Sequence, residues 1–183
     1  GIYSSGVVTG ENCTIVDNDE EGIYHTAAFT LTNSIVWGHT TADVVDVYGL
    51  FDGGFNTIQD GTGYGRMGNN TNPPLFVDSI YYHLQSQVGN YVNGYFSGGS
   101  WSTSAADSPA IDACAPGLLP VDEPEPNGAR INRGAYGNTS VASKSPALAI
   151  TNLAATAINP TSAILNGELL HMGSSNVSLW VYL

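Results

Sequence analysis

The chain has 183 residues and a net charge of −12 at pH 7, with four Lys and Arg residues against sixteen Asp and Glu residues. Such a surface repels nucleic acid and anionic lipid, because both are bound through Lys and Arg residues that neutralise phosphates. No apolar run reaches the ~18 residues of a membrane-spanning helix, so we expect neither a nucleic-acid partner nor membrane insertion.

The first 36 residues nearly repeat themselves, in a Gly-rich and β-branched setting that is typical of strands joined by tight turns. Most identical residues recur after 21 positions, but Ile15-Val16 returns as Ile35-Val36 after 20, which implies one deletion. A period of ~20 residues is typical of stacked coils, since a single coil cannot bury its apolar face. The repeat therefore predicts a parallel β-helix, with stacked Asn side chains hydrogen-bonded along the axis. Identical residues return 21 positions later: Gly1-Ile2-Tyr3 as Gly22-Ile23-Tyr24, Thr9 as Thr30 and Asn12 as Asn33.

Short β-branched runs continue this pattern to residue 47. Three strands of four or five residues, joined by tight turns, account for the ~21 residues of one coil. The repeat then loosens, because Asn56 follows Asn33 by 23 residues. Since insertions in such stacks form loops on one face, we predict an inserted loop at Gly49–Gly54. The runs cover residues 6–8, 13–16, 27–31, 34–36 and 44–47.

A long Gly- and Ser-rich segment, residues 90–104, carries four aromatic residues: Tyr91, Tyr95, Phe96 and Trp101. Segments of this length without periodicity are functional or close the end of a domain. Aromatic rings in a neutral setting can stack on sugar rings, which makes these four residues candidates for carbohydrate binding. The alternative interpretation, which the sequence favours, is that the same rings cover the open end of the apolar core.

Four ordered motifs follow between residues 75 and 136: Leu75-Phe76-Val77-Asp78, Tyr82-His83-Leu84, Ser108-Pro109-Ala110-Ile111-Asp112-Ala113, and Arg130 with Gly134-Ala135-Tyr136. In this order they resemble the C-terminal end of bacterial right-handed parallel β-helix repeat proteins. Residues 33–38 are similar to the coil motif of the same family. The resemblance implies an all-β fold, with parallel β-helix coils and a C-terminal cap over residues 1–142. It also implies an extracellular or cell-surface bacterial protein whose secretion signal lies outside this segment.

Two residues depart from the family pattern. Cys114 stands where the family has Gly, which puts the geometry of the following turn in question. Arg133 stands where the family has an apolar residue, which predicts a locally more open cap. Cys13 and Cys114 could form a disulfide, but a repeat protein with two cysteines favours one buried thiol and a second unpaired one.

The pattern changes after residues 143–146, which are predicted to be a linker. Residues 147–183 alternate apolar and polar positions as antiparallel strands do, and they resemble the opening strands of a fibronectin-III or immunoglobulin-like sandwich. A complete sandwich needs ~100 residues, so we expect a partial antiparallel β-sandwich. Its apolar face and free edge favour strand addition to another chain or to the end of the coils, which predicts a homo-oligomer or filament.

Asp17, Asp19 and Glu21 form a dense acidic turn with the spacing of the first ligands of a calcium loop. The bidentate Glu that such a loop needs is missing, because position 28 is Ala. Repulsion among the carboxylates favours a cation, so structural calcium is one hypothesis and a solvated turn is the other. The sequence requires no cofactor.

No catalytic site is recognised. An eliminating polysaccharide lyase needs Lys or Arg beside a uronate, and neither type precedes Arg66. Asp43 and Asp46 are candidates for the carboxylate pair of a glycosidase, but residues three apart on a strand point to opposite faces, which favours a solvated surface. The four His residues show no metal spacing and are expected to be exposed or hydrogen-bonded.

These observations predict an extracellular structural or adhesive segment, filament-forming or part of a surface layer, with weak polysaccharide binding. The alternative is the non-catalytic C-terminal part of a polysaccharide lyase or glycoside hydrolase, whose catalytic coils precede residue 1.

Overall fold

The computed structural model describes residues 1–146 and 149–171, and these residues contain thirteen β-strands and no helix. The prediction of an all-β fold is confirmed. Nine strands lie in the first part of the chain: β1 Ile2–Ser4, β2 Val8–Glu11, β3 Thr14–Val16, β4 Glu21–His25, β5 Phe29–Thr32, β6 Ile35–Trp37, β7 Ala42–Asp46, β8 Phe51–Asp52 and β9 Thr57–Ile58. Four follow: β10 Asn90–Val92, β11 Ser100–Ser102, β12 Ala149–Asn159 and β13 Ser162–His171.

The first nine strands form three parallel sheets of three strands each. The strand orders are β1-β4-β7, β2-β5-β8 and β3-β6-β9, so each successive segment contributes one strand to every sheet. We call these segments layer 1 (residues 2–16), layer 2 (residues 21–37) and layer 3 (residues 42–58). Strands β4, β5 and β6 of layer 2 are paired on both sides, whereas β1, β2 and β3 pair only with layer 2.

The pairing register corrects the predicted deletion between layers 1 and 2. Ile15 pairs with Val36, so the offset is 21 residues in the third sheet, as it is in the first two. Layer 3 does differ, because His25 pairs with Asp46 but Phe29 pairs with Phe51. One extra residue therefore lies in the turn between β7 and β8.

The predicted loop at Gly49–Gly54 begins in this turn, but it was placed too far along the chain. Strand β8, Phe51–Asp52, occupies its centre and pairs with β5. The extra residue is absorbed before Phe51, so the second sheet continues unbroken into layer 3.

Left-handed residues mark the same turn in all three layers. Asn12, Asn33 and Phe55 have φ angles of 49°, 54° and 58°, a conformation that Asn adopts more readily than most residues. The predicted Asn–Asn hydrogen bond is wrong, because Asn33 Nδ2 donates to Glu11 Oε1 (3.1 Å) and Asn33 Oδ1 accepts from the amide of Ala115 (2.8 Å). The Asn side chain therefore joins layer 2 to layer 1 and to a later segment of the chain.

The apolar core lies between the three sheets. Strand β5 alternates strictly, with Phe29 and Leu31 each 1% exposed and the two Thr residues half-buried. The ring of Phe29 stacks on that of Phe51 in the next layer, with centroids 6.4 Å apart. Each such large apolar side chain contributes about 1.5–3 kcal/mol when it is fully buried. The remaining members of this core are Ile23, Val36, Val44 and Ile58.

Layer 3 is followed by a turn at residues 61–72, and residues 73–146 then cover the side of the layers with mostly irregular chain, which we call the cap. The Ser108–Ala113 motif supplies its core, since Ala110 and Ile111 are buried with Ile35 and Leu84. The Ser108 hydroxyl donates to the carbonyl of Pro74 and accepts from the amide of Ala110. The motif therefore fixes one turn of the cap directly against strand β6.

Gly134 brings the cap into contact with layers 1 and 2. Its amide donates to the carbonyl of Asn33 (2.9 Å), and the next amide, of Ala135, donates to Thr14 Oγ1 (2.9 Å). Gly134 has a φ of +89°, and a Cβ atom there would lie 2.6 Å from Thr14 Oγ1. A residue with a side chain would be strained and would push the cap away from the layers.

Arg133 is buried, which corrects the prediction that it opens the cap. Its side chain is 4% exposed. Its Nη1 donates to Asn56 O and to Thr57 Oγ1 (both 3.0 Å), its Nη2 to Gly68 O (2.7 Å) and its Nε to Ala113 O (2.8 Å). The guanidinium thus joins layer 3, the turn after it and the cap. Burial lowers the pKa of Arg133 to about 10, so the group stays charged at neutral pH.

Cys114 is fully buried beside Arg133, and its thiol lies 3.0 Å from the carbonyl oxygen of Asn132. Burial raises the pKa of the thiol to about 12. Cys13 is half-buried, and both cysteines are free. The preference for free thiols over a disulfide therefore agrees with the structure.

The residues predicted to form a linker pack within the cap. Ser143 and Ser145 are buried, and their hydroxyls donate to Leu84 O (2.6 Å) and Asp112 Oδ1 (2.7 Å). The amide of Lys144 donates to the carbonyl of Gly89 (2.8 Å). Well-packed chain therefore extends at least to Ser145.

Strands β12 and β13 form a two-stranded antiparallel hairpin. Leu153, Ile158 and Ile164 are 51–72% exposed. The predicted strands at the end of the chain, residues 172–183, lie outside the described residues. Within the described part of the chain, no helix is long and apolar enough to cross a membrane.

We expect Arg133→Lys to lower the free energy of unfolding by about 3 kcal/mol or more, because one ammonium cannot reach carbonyls on three segments and hydrogen bonds to charged groups contribute ~1.5–3 kcal/mol each. Urea unfolding measures the change. Arg66→Lys is the control, since Arg66 is an exposed side chain paired with Asp52 and exposed pairs contribute ~1 kcal/mol or less. Equal stability of the two variants would contradict the role given to Arg133.

Candidate carbohydrate-binding surface

The β10–β11 hairpin holds two of the four predicted sugar-binding residues. Tyr91 and Trp101 are register partners, and their rings meet edge to face with centroids 5.7 Å apart. Tyr91 is 8% exposed, packs with Tyr136 and Val141, and accepts the amide of Gly99 through its hydroxyl (2.8 Å). Tyr91 is therefore a core residue that supports the hairpin.

The other three rings face solvent. Tyr95, Phe96 and Trp101 are 55%, 57% and 44% exposed, and we call them the exposed aromatic set. Tyr95 meets the edge of Tyr81 (4.9 Å), and Phe96 packs on Tyr136 (5.1 Å). Tyr91 covers the core, as the alternative interpretation of the segment predicts, and the other three rings expose apolar surface. Carbohydrate binding by these residues stays a prediction.

A buried histidine fixes the loop that carries Tyr95 and Phe96. His83 is fully buried and stacks on Tyr136 with centroids 3.7 Å apart. Its Nε2 lies 2.9 Å from Gly94 O and 3.1 Å from Tyr95 O. Because both neighbours are acceptors, Nε2 carries the hydrogen. Burial lowers the pKa of His83, so the ring is neutral and acts as a structural clamp on the loop.

The predicted calcium ligands have separate environments. Asp17 Oδ2 accepts the hydroxyl of Tyr82 (2.8 Å), and its Oδ1 lies against Gly38. Glu21 begins strand β4, and Asp19 is exposed in the turn before it. Within residues 1–146 and 149–171, no group of three or more His, Cys, Asp or Glu residues is arranged to hold a metal ion. Structural calcium stays a prediction, without a gathered set of ligands.

Asp43 and Asp46 have different partners, as their spacing on strand β7 indicates. Asp43 is buried, which corrects the expectation that it lies on a solvated surface. It accepts the amide of Asp60 (2.7 Å), while Asp60 Oδ2 accepts the amide of Asp43 (3.0 Å). Burial raises the pKa of Asp43. Asp46 accepts the amides of Leu50 and Phe51. These hydrogen bonds stabilise the turns of layer 3, so both carboxylates have a structural role.

Asp46 also lies 3.5 Å from Nε2 of His25, which is fully buried in the core. The Nδ1 atom of His25 lies 2.8 Å from the carbonyl oxygen of Ala27. Burial alone would raise the pKa of Asp46, but the amides of Phe51 and Leu50 lower it. His25 is thus hydrogen-bonded, and its ring packs between the layers.

Two buried carboxyl groups in the cap were not identified from the sequence. Asp112 is 2% exposed and Glu123 is 6% exposed. Glu123 Oε1 accepts the amides of Asn132 and Asn138 (both 2.8 Å), whereas Oε2 is buried and has no hydrogen-bond partner among the described residues. Burial is the main cause that raises the pKa of each carboxyl group to about 7, and the charge of Glu123 contributes to the rise at Asp112. Their sequence contexts, a turn motif and a Pro-rich acidic run, give no sign of burial.

A groove of about 640 Å³ lies between the cap and the turns of layers 1 to 3. Its apolar lining includes Phe55, Met67 and Leu118, and its polar lining includes Glu11 and the ion pair of Asp52 with Arg66. This volume is typical of small-molecule pockets. No sequence motif indicated this groove, because its lining comes from segments far apart in the chain.

Comparisons of the chain with protein-family models, with curated proteins and with solved structures found no match.

We expect the buried carboxyl groups to make the cap less stable as the pH rises. The folded pKa values of Asp112 and Glu123, about 7, lie above their ordinary values of 3.8 and 4.5. The folded state therefore binds more protons, and its stability falls between about pH 4 and pH 7 and levels off above. Because Asp112→Asn with Glu123→Gln removes this loss, the double variant should gain stability relative to wild type between pH 5 and pH 8.

Urea unfolding at a series of pH values measures this difference. Asp122→Asn is the control, because Asp122 is exposed beside Glu123. If the double variant had the same pH dependence of stability as wild type, folding would not raise the pKa of either carboxyl group.

Proposed function

We propose that residues 1–146 are the last coils and cap of a right-handed parallel β-helix, and that the protein is an extracellular structural or adhesive segment of a bacterial surface. The three layers support this proposal, since one strand of each enters each of three parallel sheets at offsets of 21 or 22 residues. The ordered motifs described above resemble the closing coils of that family. A stiff stack with a packed cap is suited to bearing load and to presenting a surface.

The observation that carries the binding part of the proposal is the exposed aromatic set. Exposed rings are common, but these three are supported from beneath by Tyr91, Tyr136 and the His83 clamp. Rings fixed before binding lose little side-chain entropy on contact with a sugar. The surface is therefore suited to weak polysaccharide binding, with apolar sugar faces stacked on the rings.

The alternative is the non-catalytic C-terminal part of a polysaccharide lyase or glycoside hydrolase. The groove favours this alternative, because Glu11, Asp52 and Arg66 could bind sugar hydroxyls beside its apolar lining. A panel of neutral and acidic polysaccharides, tested with this segment and with any longer natural form, separates the two functions. Turnover by the longer form alone would favour the enzyme.

We expect Phe96→Ala and Trp101→Ala each to weaken polysaccharide binding by about tenfold, since an aromatic contact contributes ~1 kcal/mol or more. Affinity electrophoresis in gels containing each polysaccharide measures the change. Tyr64→Ala is the matched control, because Tyr64 is 71% exposed in a different turn. Binding that survives both cap variants and is lost in Glu11→Gln or Asp52→Asn would move the site to the groove.

We further propose that residues 147–183 assemble copies of the chain by strand addition. The β12–β13 hairpin has two outer edges with no partner strand among the described residues, and it exposes Leu153, Ile158 and Ile164. Isolated two-stranded hairpins are marginally stable, and open edges accept further strands.

Deletion of residues 147–183 should convert an oligomer or filament into a monomer, with the cap still folded, because strand edges would be lost and Ser145 would be kept. Light scattering gives the mass, and thermal unfolding gives the stability. A full chain that is already a monomer, and whose stability is unchanged by the deletion, would contradict this assembly.

A further inference from the structure

The four basic side chains of this acidic protein have different partners. Arg130 and Arg133 donate to backbone carbonyls inside the cap. Arg66 pairs with Asp52 at a distance of 2.7 Å. Lys144 differs from the three arginines in its environment, because its ammonium lies over the Trp101 ring, 5.0 Å from the ring centre. Like Arg130 and Arg133, it has no ion pair with an acidic side chain in the described part of the chain.

The position of Lys144 is fixed by the packed chain on which it lies. Its amide donates to Gly89 O (2.8 Å), its carbonyl accepts the hydroxyl of Ser86 (2.7 Å), and both sequence neighbours are buried serines. The aliphatic stem runs along Gly89, where a Cβ atom would lie 2.9 Å from Lys144 Cδ. The ammonium is therefore held near the indole before any ligand arrives.

Trp101 supplies the complementary half of this arrangement. Its ring is 44% exposed and rests on the edge of Tyr91. A cation next to an aromatic face is attracted by the ring and keeps its other hydrogens for an anion. The pair thus offers the exposed surface of the indole and, over the same ring, a charged donor, and a neutral sugar would use only the first of these.

The net charge of −12 does not cancel this local preference. Charges at the surface are screened over about 8 Å at physiological ionic strength. Carboxylates beyond this distance slow the approach of an anion, whereas the strength of the contact depends on the groups that touch the bound anion. A carboxylate that reaches the ammonium gains a charge-assisted hydrogen bond, roughly twice as strong as a neutral one.

From this geometry we infer that Lys144 and Trp101 form a subsite for a uronic acid residue of an acidic polysaccharide. The sugar ring packs on the indole, and its carboxylate accepts a hydrogen bond from the Lys144 ammonium. The inference rests on the polysaccharide binding proposed above and names the class of sugar that this part of the exposed aromatic set selects.

The test compares a uronic acid oligosaccharide with its methyl ester, which keeps the sugar ring and removes the charge. With the intact chain, we expect the free acid to bind about tenfold more tightly in titration calorimetry, as one charge-assisted hydrogen bond implies. Lys144→Gln should remove this preference and leave the affinity for the ester within about twofold. Trp101→Ala should weaken the binding of both ligands, because both need the platform.

Lys144→Arg retains a cation at the same position and should keep the preference for the free acid. Arg66→Gln makes the same change in net charge as Lys144→Gln but in the groove, so it tests the groove as the other site for the carboxylate. If Lys144→Gln alters thermal unfolding, the comparison of acid and ester on wild type, Lys144→Arg and Arg66→Gln still distinguishes the subsite from the groove.

The possible failures are distinguishable. Equal binding of acid and ester by wild type would overturn the uronate subsite and leave the proposed polysaccharide binding intact. A preference for the acid that is lost in Arg66→Gln but kept in Lys144→Gln would place the carboxylate in the groove and overturn the inference. Failure of both ligands and of the whole polysaccharide panel to bind would overturn the proposed binding function itself.

Discussion

The cap and the layers are joined through the buried guanidinium of Arg133. Its donors reach Asn56, Gly68 and Ala113, which belong to layer 3, to the turn after it and to the cap. Removal of the side chain would take one hydrogen bond from each of these carbonyls, although Asn56 O also accepts the amide of Asn70 (2.9 Å) and Ala113 O also accepts Arg130 Nη2 (3.4 Å). Each hydrogen bond to a charged group contributes ~1.5–3 kcal/mol. The planar group with five donors satisfies several acceptors at once, which an apolar residue or Lys could not do.

Everything proposed for function depends on this junction, because the exposed aromatic set lies on the cap. The cap has little regular structure, and its shape is kept by side chains that bond to distant backbone groups. His83 fixes the loop of Tyr95, and Ser86 fixes the segment of Lys144. The rings are thus held in place before binding, Trp101 by the β10–β11 hairpin and Tyr95 by His83, which reduces the entropy lost on binding a sugar.

Much of the layered part could be predicted from the sequence, and the errors have clear causes. The Gly-Ile-Tyr repeat and the β-branched runs indicated stacked parallel strands, because a period of 21 residues and alternating burial are both visible in residue types. The false deletion arose from matching Ile15 to Ile35, whereas pairing joins Ile15 to Val36. Two different β-branched residues fill one core position equally well, so identity was a poor guide to register.

The sequence by itself determined the all-β class, the 21-residue spacing of the strands and the four aromatic residues of the cap. Only the tertiary structure decided that Tyr91 is buried while Trp101 is exposed, that Arg133 closes the cap, and that Lys144 lies over an indole. The physical reason is that periodicity is a local property of the chain. The partners of a buried charge or an aromatic ring come from segments tens of residues away, and only packing brings them together.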